Sequence, residues 1–363
     1  MSAPAAAPLL ARIGDHAYPL HLGPGLIDRV GPLWAERAAG GTALLVSDGN
    51  VPELARRARA SLQEAGIRVV GAAVPPGEGS KTLAEVERIC RLAAQAGVRR
   101  HDAVIALGGV VGDLAGFVAA AYQRGIRLAH VPTTLLAMVD SAVGGKTGVD
   151  LPEGKNYVGA IWQPDLVVMD TDALATLPAR ELACGFAEVV KYGPLDGEAL
   201  FAAVESWPEL PGPAADLAAL IRRCVEHKLR VVAADERDHG LRASLNLGHT
   251  VGHGIEAAAG YERYRHGEAI SLGLLAALRL SEEEAGLDPA WRDRTAALLD
   301  RHGLPTRLDP AVPTDAILKA MGRDKKADAD ALNMVLLGAP GDVLLRTNPP
   351  RERVVAAIEE LRG

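Results

Sequence analysis

The chain has 363 residues, of which 48% are hydrophobic and only 4% aromatic, and a formal net charge of −7. That length predicts two domains rather than one core, and the charge argues against general nucleic-acid binding while leaving room for an anionic substrate held by a local basic cluster. Cys90, Cys184 and Cys224 show neither metal-finger nor disulfide spacing. The Ala- and Pro-rich start from Met1 to Pro8 lacks the plan of a signal peptide. The scattered, odd-numbered cysteines make a reducing cytoplasm the expected compartment, and no apolar run reaches membrane-spanning length without Gly, Pro or charge.

In chain order, Leu9–Ile13 and Tyr18–Leu22 flank Gly14-Asp15 and predict a hairpin. Thr42–Ser47 reads as a buried strand ending in the turn Asp48-Gly49-Asn50, followed by a helix to about Glu64. Ile67–Val74 is a second strand, Pro75–Gly79 a loop and Lys81–Ala96 a helix. The apolar segments Ala103–Leu107, Ile126–Val131 and Leu166–Met169 continue the series. Strands alternating with helices imply a parallel sheet covered on both faces. From Leu182 to Gly286 helical periodicity dominates, with Pro208–Pro213 as a linker. A helix over Pro289–His302, a short hairpin of Leu332–Leu337 and Val343–Arg346 around Pro340-Gly341, and a closing helix over Arg351–Leu361 complete the reading. The domain boundary falls between Thr176 and Leu182, and no internal repeat is found.

The stretch Asn246–Glu256 carries the chemistry. His249 and His253 are four residues apart and Glu256 three further on, which puts all three on one helical face. His266-Gly267-Glu268 opens a long apolar run, and Glu188 precedes Lys191 by three residues, again on one face. Histidines plus a carboxylate from separate helices suit a divalent metal site with a coordination position left open for substrate. A lone histidine pair on a helix is more often surface or satisfied core. Gly248, Gly252 and Gly254 weigh against that here, because glycine costs about 1 kcal/mol per residue inside a helix and such density suggests close approach by another element or a ligand.

Gly108-Gly109-Val110-Val-Gly112-Asp113 lies between a strand and a helix, where backbone N–H groups and a helix N-terminus can face an anion. It does not complete the G-x-G-x-x-G fingerprint, and a tight turn without ligand is the bland alternative. Ser141–Thr147 resembles the tail of a phosphate-binding P-loop, but Asp140 stands where that motif needs glycine. Lys146 and Lys155-Asn156 lie in a glycine-rich region read as loop. Arg124, Lys191, Lys228, Arg242 and Arg323-Asp-Lys325-Lys326 are further basic groups. Each alone reads as a solvated charge; as a set, near glycine-rich turns, they favour phosphate binding.

Taken together, Gly108–Phe117, Tyr122–Gly125, Val131–Leu136, Asp140–Gly148, Gly154–Asn156, Gln163-Pro164, Thr176–Pro178, Ala187–Gly193, Asp235–Asp238, Leu245–His253, His266–Glu268 and Arg323–Lys326 resemble 3-dehydroquinate synthase, in the sugar phosphate cyclase superfamily. The resemblance runs in order over roughly residues 40 to 340. It implies a Rossmann-like NAD-binding α/β domain over residues 1–178 and a mainly α-helical metal- and substrate-binding domain over 179–363. The implied activity is conversion of 3-deoxy-D-arabino-heptulosonate 7-phosphate to 3-dehydroquinate with release of phosphate, a step of the shikimate pathway. It uses a recycled NAD and one divalent ion, zinc or cobalt, in a cytoplasmic homodimer.

The family's metal ligands fall on Glu188, His249 and His266, which leaves His253 as a proton-transfer residue beside the metal. With His253, the residues implied in catalysis are Lys146, Lys191, Asp238 and Asn246. Substrate-binding positions fall on Arg124, which would reach into the neighbouring subunit, and on Asp140, Lys146, Asn156, Lys191, Lys228, Arg242, Asn246 and Lys325 or Lys326. NAD positions fall on Asp48, Glu78, Lys81, Gly108, Gly109, Val110, Gly112, Asp113, Thr133, Thr134, Lys155 and Thr176. Two features depart from the pattern. The chain has two glycines before Val-Val-Gly-Asp where the family usually has three, and Asp238 stands where many members have glutamate. The alternatives are another sugar phosphate cyclase and an NAD- and metal-dependent polyol dehydrogenase. Lys146 and the Arg-Asp-Lys-Lys run argue against the dehydrogenase.

Overall fold

The computed structural model describes residues 7–38, 40–208, 210, 214–322 and 332–363. Contacts divide the chain into two compact units: residues 1–177 with 213–236, and residues 178–212 with 237–363.

The first unit is built on a seven-stranded sheet. Its strands are β1 (Leu9–Ile13), β2 (His16–Gly23), β3 (Thr42–Asp48), β4 (Arg68–Val74), β5 (Ala103–Gly108), β6 (Arg127–Pro132) and, after a separate hairpin of β7 (Lys146–Leu151) and β8 (Gly154–Ile161), β9 (Leu166–Asp170). The order across the sheet is β1-β2-β9-β6-β5-β3-β4. All neighbours are parallel except β1, which runs antiparallel to β2. The expected N-terminal hairpin therefore extends the main sheet, with β2 in register against β9 from Leu20↔Val167 to Gly23↔Asp170.

Helices α1 (Val30–Ala35), α2 (Pro52–Glu64), α3 (Leu83–Gln95) and α4 (Val111–Ala121) cover both faces. Alternation along the strands sorts the core. Ala43 and Leu45 of β3 and Ile105 and Leu107 of β5 pack with Leu33, Trp34, Leu54 and Leu62 on one side. Leu44, Val46, Val104 and Ala106 pack with Ile89, Leu114 and Val118 on the other. Each such side chain contributes about 1.5–3 kcal/mol on burial. Helix α3 starts later than the expected Lys81. Thr82 accepts a hydrogen bond from the Glu85 N–H as its cap, and a 3₁₀ turn over Glu78–Ser80 precedes it.

The region around Lys146 and Asn156, read as a loop, is the antiparallel β7–β8 hairpin. Glycines concealed it. Gly148 and Gly159 face each other in its register, and a Cβ on Gly116 of α4 would lie 3.1 Å from Thr147 Cβ. They serve close packing of strand on strand and helix on strand, where composition alone suggests flexibility.

The second unit begins with α5 (Ala179–Asp196) and α6 (Glu198–Glu205). The next helix, α7 (Ala214–Ala234), belongs to the first unit and packs on β1 and β2. The single change of character expected near residue 178 is thus interrupted, because α7 has an apolar stripe that the sheet's β1–β2 edge accepts. The second unit resumes with α8 (His249–Ala258), α9 (His266–Ala285), α10 (Ala290–Arg301) and α11 (Thr314–Met321). The hairpin β10 (Met334–Ala339) and β11 (Asp342–Thr347), turning at Pro340-Gly341 as expected, and α12 (Arg351–Glu360) complete it. Residues 209 and 211–213 of the expected linker lie outside the described residues. Among the described residues no helix is long and apolar enough to cross a membrane.

One buried ring gives the first unit an acid sensitivity. His130 of β6 is 4% exposed and lies under α4, with its Nδ1 3.5 Å from where a Gly112 Cβ would stand. Burial lowers its pKa to about 4. Above about pH 6.5 the ring is neutral both folded and unfolded. Below that, the unfolded chain takes up a proton that the folded chain refuses, so stability falls until about pH 4. The loss is on the order of 3 kcal/mol at 1.36 kcal/mol per pKa unit. Urea unfolding of His130→Leu should show a shallower loss of stability between pH 6.5 and 4 than the unsubstituted protein. An equal acid slope in both proteins would refute this role.

Candidate active site

Close helix packing makes the centre of the second unit. Gly248 caps α8 in the left-handed conformation (φ 78°), and a Cβ there would lie 2.7 Å from the Leu274 nitrogen of α9. A Cβ on Gly273 would lie 2.6 Å from the Gly252 nitrogen. Helices α8 and α9 therefore touch backbone to backbone. At the start of α9, a Cβ on Gly267 would come within 2.5 Å of Cys184 Cα of α5. The neighbouring Glu268 locks this end. Its side chain accepts the Arg265 N–H (2.8 Å) and receives the Arg180 guanidinium of α5 (2.6 and 2.8 Å). The His-Gly-Glu triplet thus divides its work: Gly267 packs, Glu268 anchors, and His266 points to the centre.

That centre is Glu188. It is fully buried in the middle of α5, with His249 Nε2 at 3.5 Å and His266 Nε2 at 3.3 Å from its Oε1, while Oε2 is ion-paired with the Lys191 ammonium. Oε1 has no donor in hydrogen-bonding geometry. Donor atoms of Glu188, His249 and His266 lie within 4.8 Å of one another. A buried carboxylate whose Oε1 faces two imidazole nitrogens and no hydrogen-bond donor fits a divalent ion. His253 is exposed on α8, and the three imidazole rings cluster with centroids 5.2 to 5.8 Å apart.

Charges follow from these contacts. Burial, with the Lys191 charge adding to it, pushes His249 down to about 3 and leaves it a neutral donor. Burial also acts to lower His266, but the Glu188 and Glu256 carboxylates outweigh it and hold the ring up at about 9. For Glu188, burial is outweighed by Lys191 and the imidazoles, which keep it well below the usual carboxylate range. A divalent ion would take the place of the His266 proton.

The remaining expected residues of this unit lie nearby in the chain. Arg242 (3% exposed) and Asn246 sit on the 3₁₀ turn Leu241–Asn246 that leads into Gly248, and Asp238 adopts a left-handed φ of 60° just before it. Lys325 and Lys326 lie outside the described residues.

In the first unit the switch in strand order lies between β3 and β5, the place where such open sheets leave a crevice at their carboxyl ends. Asp48 ends β3 and Gly108 ends β5, and a Cβ on Gly108 would lie 3.0 Å from that of Asp48. Gly109 is equally tight against Thr134, with 2.9 Å from a Cβ to Thr134 Cγ2. Val110 caps α4 and Gly112 lies in its first turn, and Thr133 and Thr134 follow β6.

Asp113, in the first turn of α4, meets a buried lysine. Lys81 donates to Asp113 (2.8 Å) and Glu78 (3.3 Å), and Lys155 stands 4.0 Å from Glu78. Burial would lower the Lys81 pKa, but these carboxylates hold it well above the usual range. Asp150 joins the group 4.0 Å from Lys81, and its carboxylate accepts the Asn156 N–H (2.7 Å), where Asn156 is left-handed at φ 55°. Sequence reasoning missed Asp150. The strand pattern flanking Pro152-Glu153 was the signal, and the glycines masked it.

Lys228 of α7 is ion-paired with the Asp140 carboxylate and donates to the Asp140 carbonyl (2.6 Å). It therefore lies in the first unit, not in the second as its sequence position suggested. Lys146 is exposed at the start of β7, Arg124 is exposed with a φ of 62°, and the Thr176 hydroxyl donates to the Ala173 carbonyl (2.8 Å).

Fold and centre together define a class: a two-unit protein with an open parallel sheet in one unit and, in the other, a helical carboxylate–imidazole centre suited to a divalent ion. Sequence-family models described as 3-dehydroquinate synthase N-terminal and 3-dehydroquinate synthase C-terminal match residues 71–184 and 185–327. A 3-dehydroquinate synthase of Symbiobacterium thermophilum is 43% identical over 357 residues, covering 96% of this chain and 99% of that protein. The chain belongs to the 3-dehydroquinate synthase family. Among solved structures it is similar to 2-deoxy-scyllo-inosose synthase complexed with carbaglucose-6-phosphate, NAD+ and Co2+ (TM-score 0.88, 26% identity, 97% of this chain and 99% of that one). It is also similar to 2-epi-5-epi-valiolone synthase from Streptomyces hygroscopicus subsp. jinggangensis with NAD+ and Zn2+ bound (TM-score 0.83, 26% identity, 97% and 99% coverage).

The Gly267 contact sets a direct test. Gly267→Ala places a methyl group against the Cys184 backbone, which has no flexible end to yield. The expected cost is about 1–3 kcal/mol of stability, together with weaker uptake of zinc as α9 shifts. Thermal melting and metal analysis measure both; unchanged values would show that the approach of α9 to α5 is not constrained there.

Proposed function

We propose that this chain converts 3-deoxy-D-arabino-heptulosonate 7-phosphate to 3-dehydroquinate and phosphate, with NAD recycled and one zinc or cobalt ion held by Glu188, His249 and His266. The observation that carries this reading is the convergence of those donors beside Lys191 in a chain of this family. When bound, the ion supplies a Lewis acid and NAD a reversible hydride acceptor.

The chain's own residues do the rest. Gly108, Gly109, Val110 and Gly112 leave room for a pyrophosphate at the start of α4, whose N–H groups face an anion. Asp48, Thr133, Thr134 and Thr176 line the same nucleotide. The Glu78–Lys81–Asp113–Lys155 network fixes the walls around it. Lys146, Asn156, Lys191, Lys228, Arg242, Asn246 and Lys325 or Lys326 are the groups assigned to the sugar phosphate and its carboxylate. Charge-assisted hydrogen bonds of this kind contribute roughly 1.5–3 kcal/mol each. Asp140 orients Lys228. His253, exposed beside the two ligand imidazoles, moves a proton, with Asn246 near the departing phosphate and Asp238 a further catalytic group.

The first unit is then the NAD-binding domain and the helical unit the metal- and substrate-binding domain. We further place the enzyme in the cytoplasm as a homodimer in which Arg124 reaches the partner's site.

Phosphate release from the heptulosonate phosphate tests the reading. Under substoichiometric NAD, many phosphates should appear per dinucleotide, with no net NADH. Steady accumulation of NADH would instead support a polyol dehydrogenase. Lys228→Ala should raise the KM for the phosphorylated substrate at least tenfold and leave zinc content intact; an unchanged KM would remove Lys228 from the substrate site.

A further inference from the structure

Glu256 is a buried carboxylate of the second unit that belongs neither to the Glu188–His249–His266 set nor to the substrate set. It lies on α8 seven residues beyond His249, is 4% exposed, and its Oε2 stands 3.4 Å from His266 Nδ1. The other nitrogen of that ring, Nε2, is the one that faces Glu188, at 3.3 Å. His249 repeats the arrangement. Its Nδ1 is 3.2 Å from the Leu247 carbonyl and its Nε2 faces the same Glu188 oxygen at 3.5 Å. Both imidazoles therefore turn Nε2 inward, and each has a hydrogen-bond acceptor behind it on Nδ1. A neutral imidazole has one N–H and one lone pair, so an acceptor at Nδ1 fixes the lone pair on Nε2.

The two acceptors differ in what they do. The Leu247 carbonyl is part of the turn that starts α8 and moves only with the backbone. Glu256 is a side chain from a different helix than His266, placed there by the α8–α9 contact at Gly252 and Gly273. A carboxylate also accepts more strongly than a carbonyl and raises the basicity of the ring it supports.

We propose that Glu256 is a positioning residue that accepts the Nδ1–H of His266, fixes its tautomer and aims Nε2 at the divalent ion shared with Glu188 and His249. This rests on the metal reading given above, and the experiment separates the two. Zinc affinity of the full chain is measured by chelator competition for the unsubstituted protein, Glu256→Ala, Glu256→Gln and His266→Ala, with cobalt(II) absorption spectra and melting of the metal-free forms alongside. In the zinc-loaded unsubstituted protein, long-range 15N–1H NMR reads which His266 nitrogen carries the proton.

His266→Ala should lose tight zinc binding; if it does not, the metal reading itself falls. Glu256→Ala should bind zinc about 10–100-fold more weakly, with a shifted cobalt spectrum. Glu256→Gln, which keeps an acceptor, should fall between it and the unsubstituted protein, with the melting of its metal-free form preserved. His266 should be protonated on Nδ1. Unchanged affinity and cobalt spectrum in Glu256→Ala, with His266→Ala defective, would overturn the role of Glu256 alone. So would a proton on Nε2 of His266. A Glu256→Gln loss as complete as that of His266→Ala would overturn it too, by making Glu256 a ligand of an ion held with His253 and His266, whose donor atoms also converge within 4.8 Å.

Discussion

A carboxylate held away from water beside an ammonium and two imidazoles is the constraint around which the second unit is arranged. Removing charged groups from water costs several kcal/mol each, and a buried charge persists only where its partners are held in place. Glu188 and Lys191 come from a single helix, one turn apart, so their pairing needs no tertiary structure. The imidazoles do need it. They arrive on α8 and α9: α9 reaches α5 closely because glycine occupies the contact at Gly267, and α8 reaches α9 closely because glycines occupy the contacts at Gly248 and Gly273. The backbone concessions and the charged centre are thus two sides of one arrangement: without the first, the second would be a solitary buried ion pair.

The first unit solves a different problem with a similar economy. Its sheet presents backbone at the strand ends, and side chains too large for the turn after β5 would close the crevice at the switch in strand order. Lys81 is almost fully buried and yet kept charged by three carboxylates, two of which come from distant parts of the sequence, α4 and the β7–β8 hairpin. The lysine is a rivet: it ties the loop after β4 to the start of α4 and to the hairpin, and so holds the rim of the crevice at several points at once.

Much of this was legible beforehand, and the reasons differ by residue. The parallel sheet could be read because its strands are buried on both faces and appear as continuous apolar runs. Glu188–Lys191 and His249–His253 could be read because helical spacing is local. His266 was conspicuous as a residue, but its relation to Glu188 is a tertiary fact, and only family resemblance pointed to it. The β7–β8 hairpin escaped because five glycines between Gly144 and Gly159 speak for flexibility in composition while serving close packing in the fold. The allegiance of α7 escaped for a complementary reason. An amphipathic stripe declares that a helix packs on something, and says nothing about which core it joins.

That allegiance has a bearing on how the protein can be taken apart. The chain leaves the first unit after Leu177, returns to it for Pro213–Glu236, and leaves again. A fragment ending at Leu177 would uncover the β1 and β2 surface that α7 shields, and would strip Asp140 of the Lys228 ammonium. Neither half is a cassette. Exchange of the sheet unit between relatives has to carry two segments together, and a fusion or permutation that respects the architecture must keep residues 213–236 with the strands they cover.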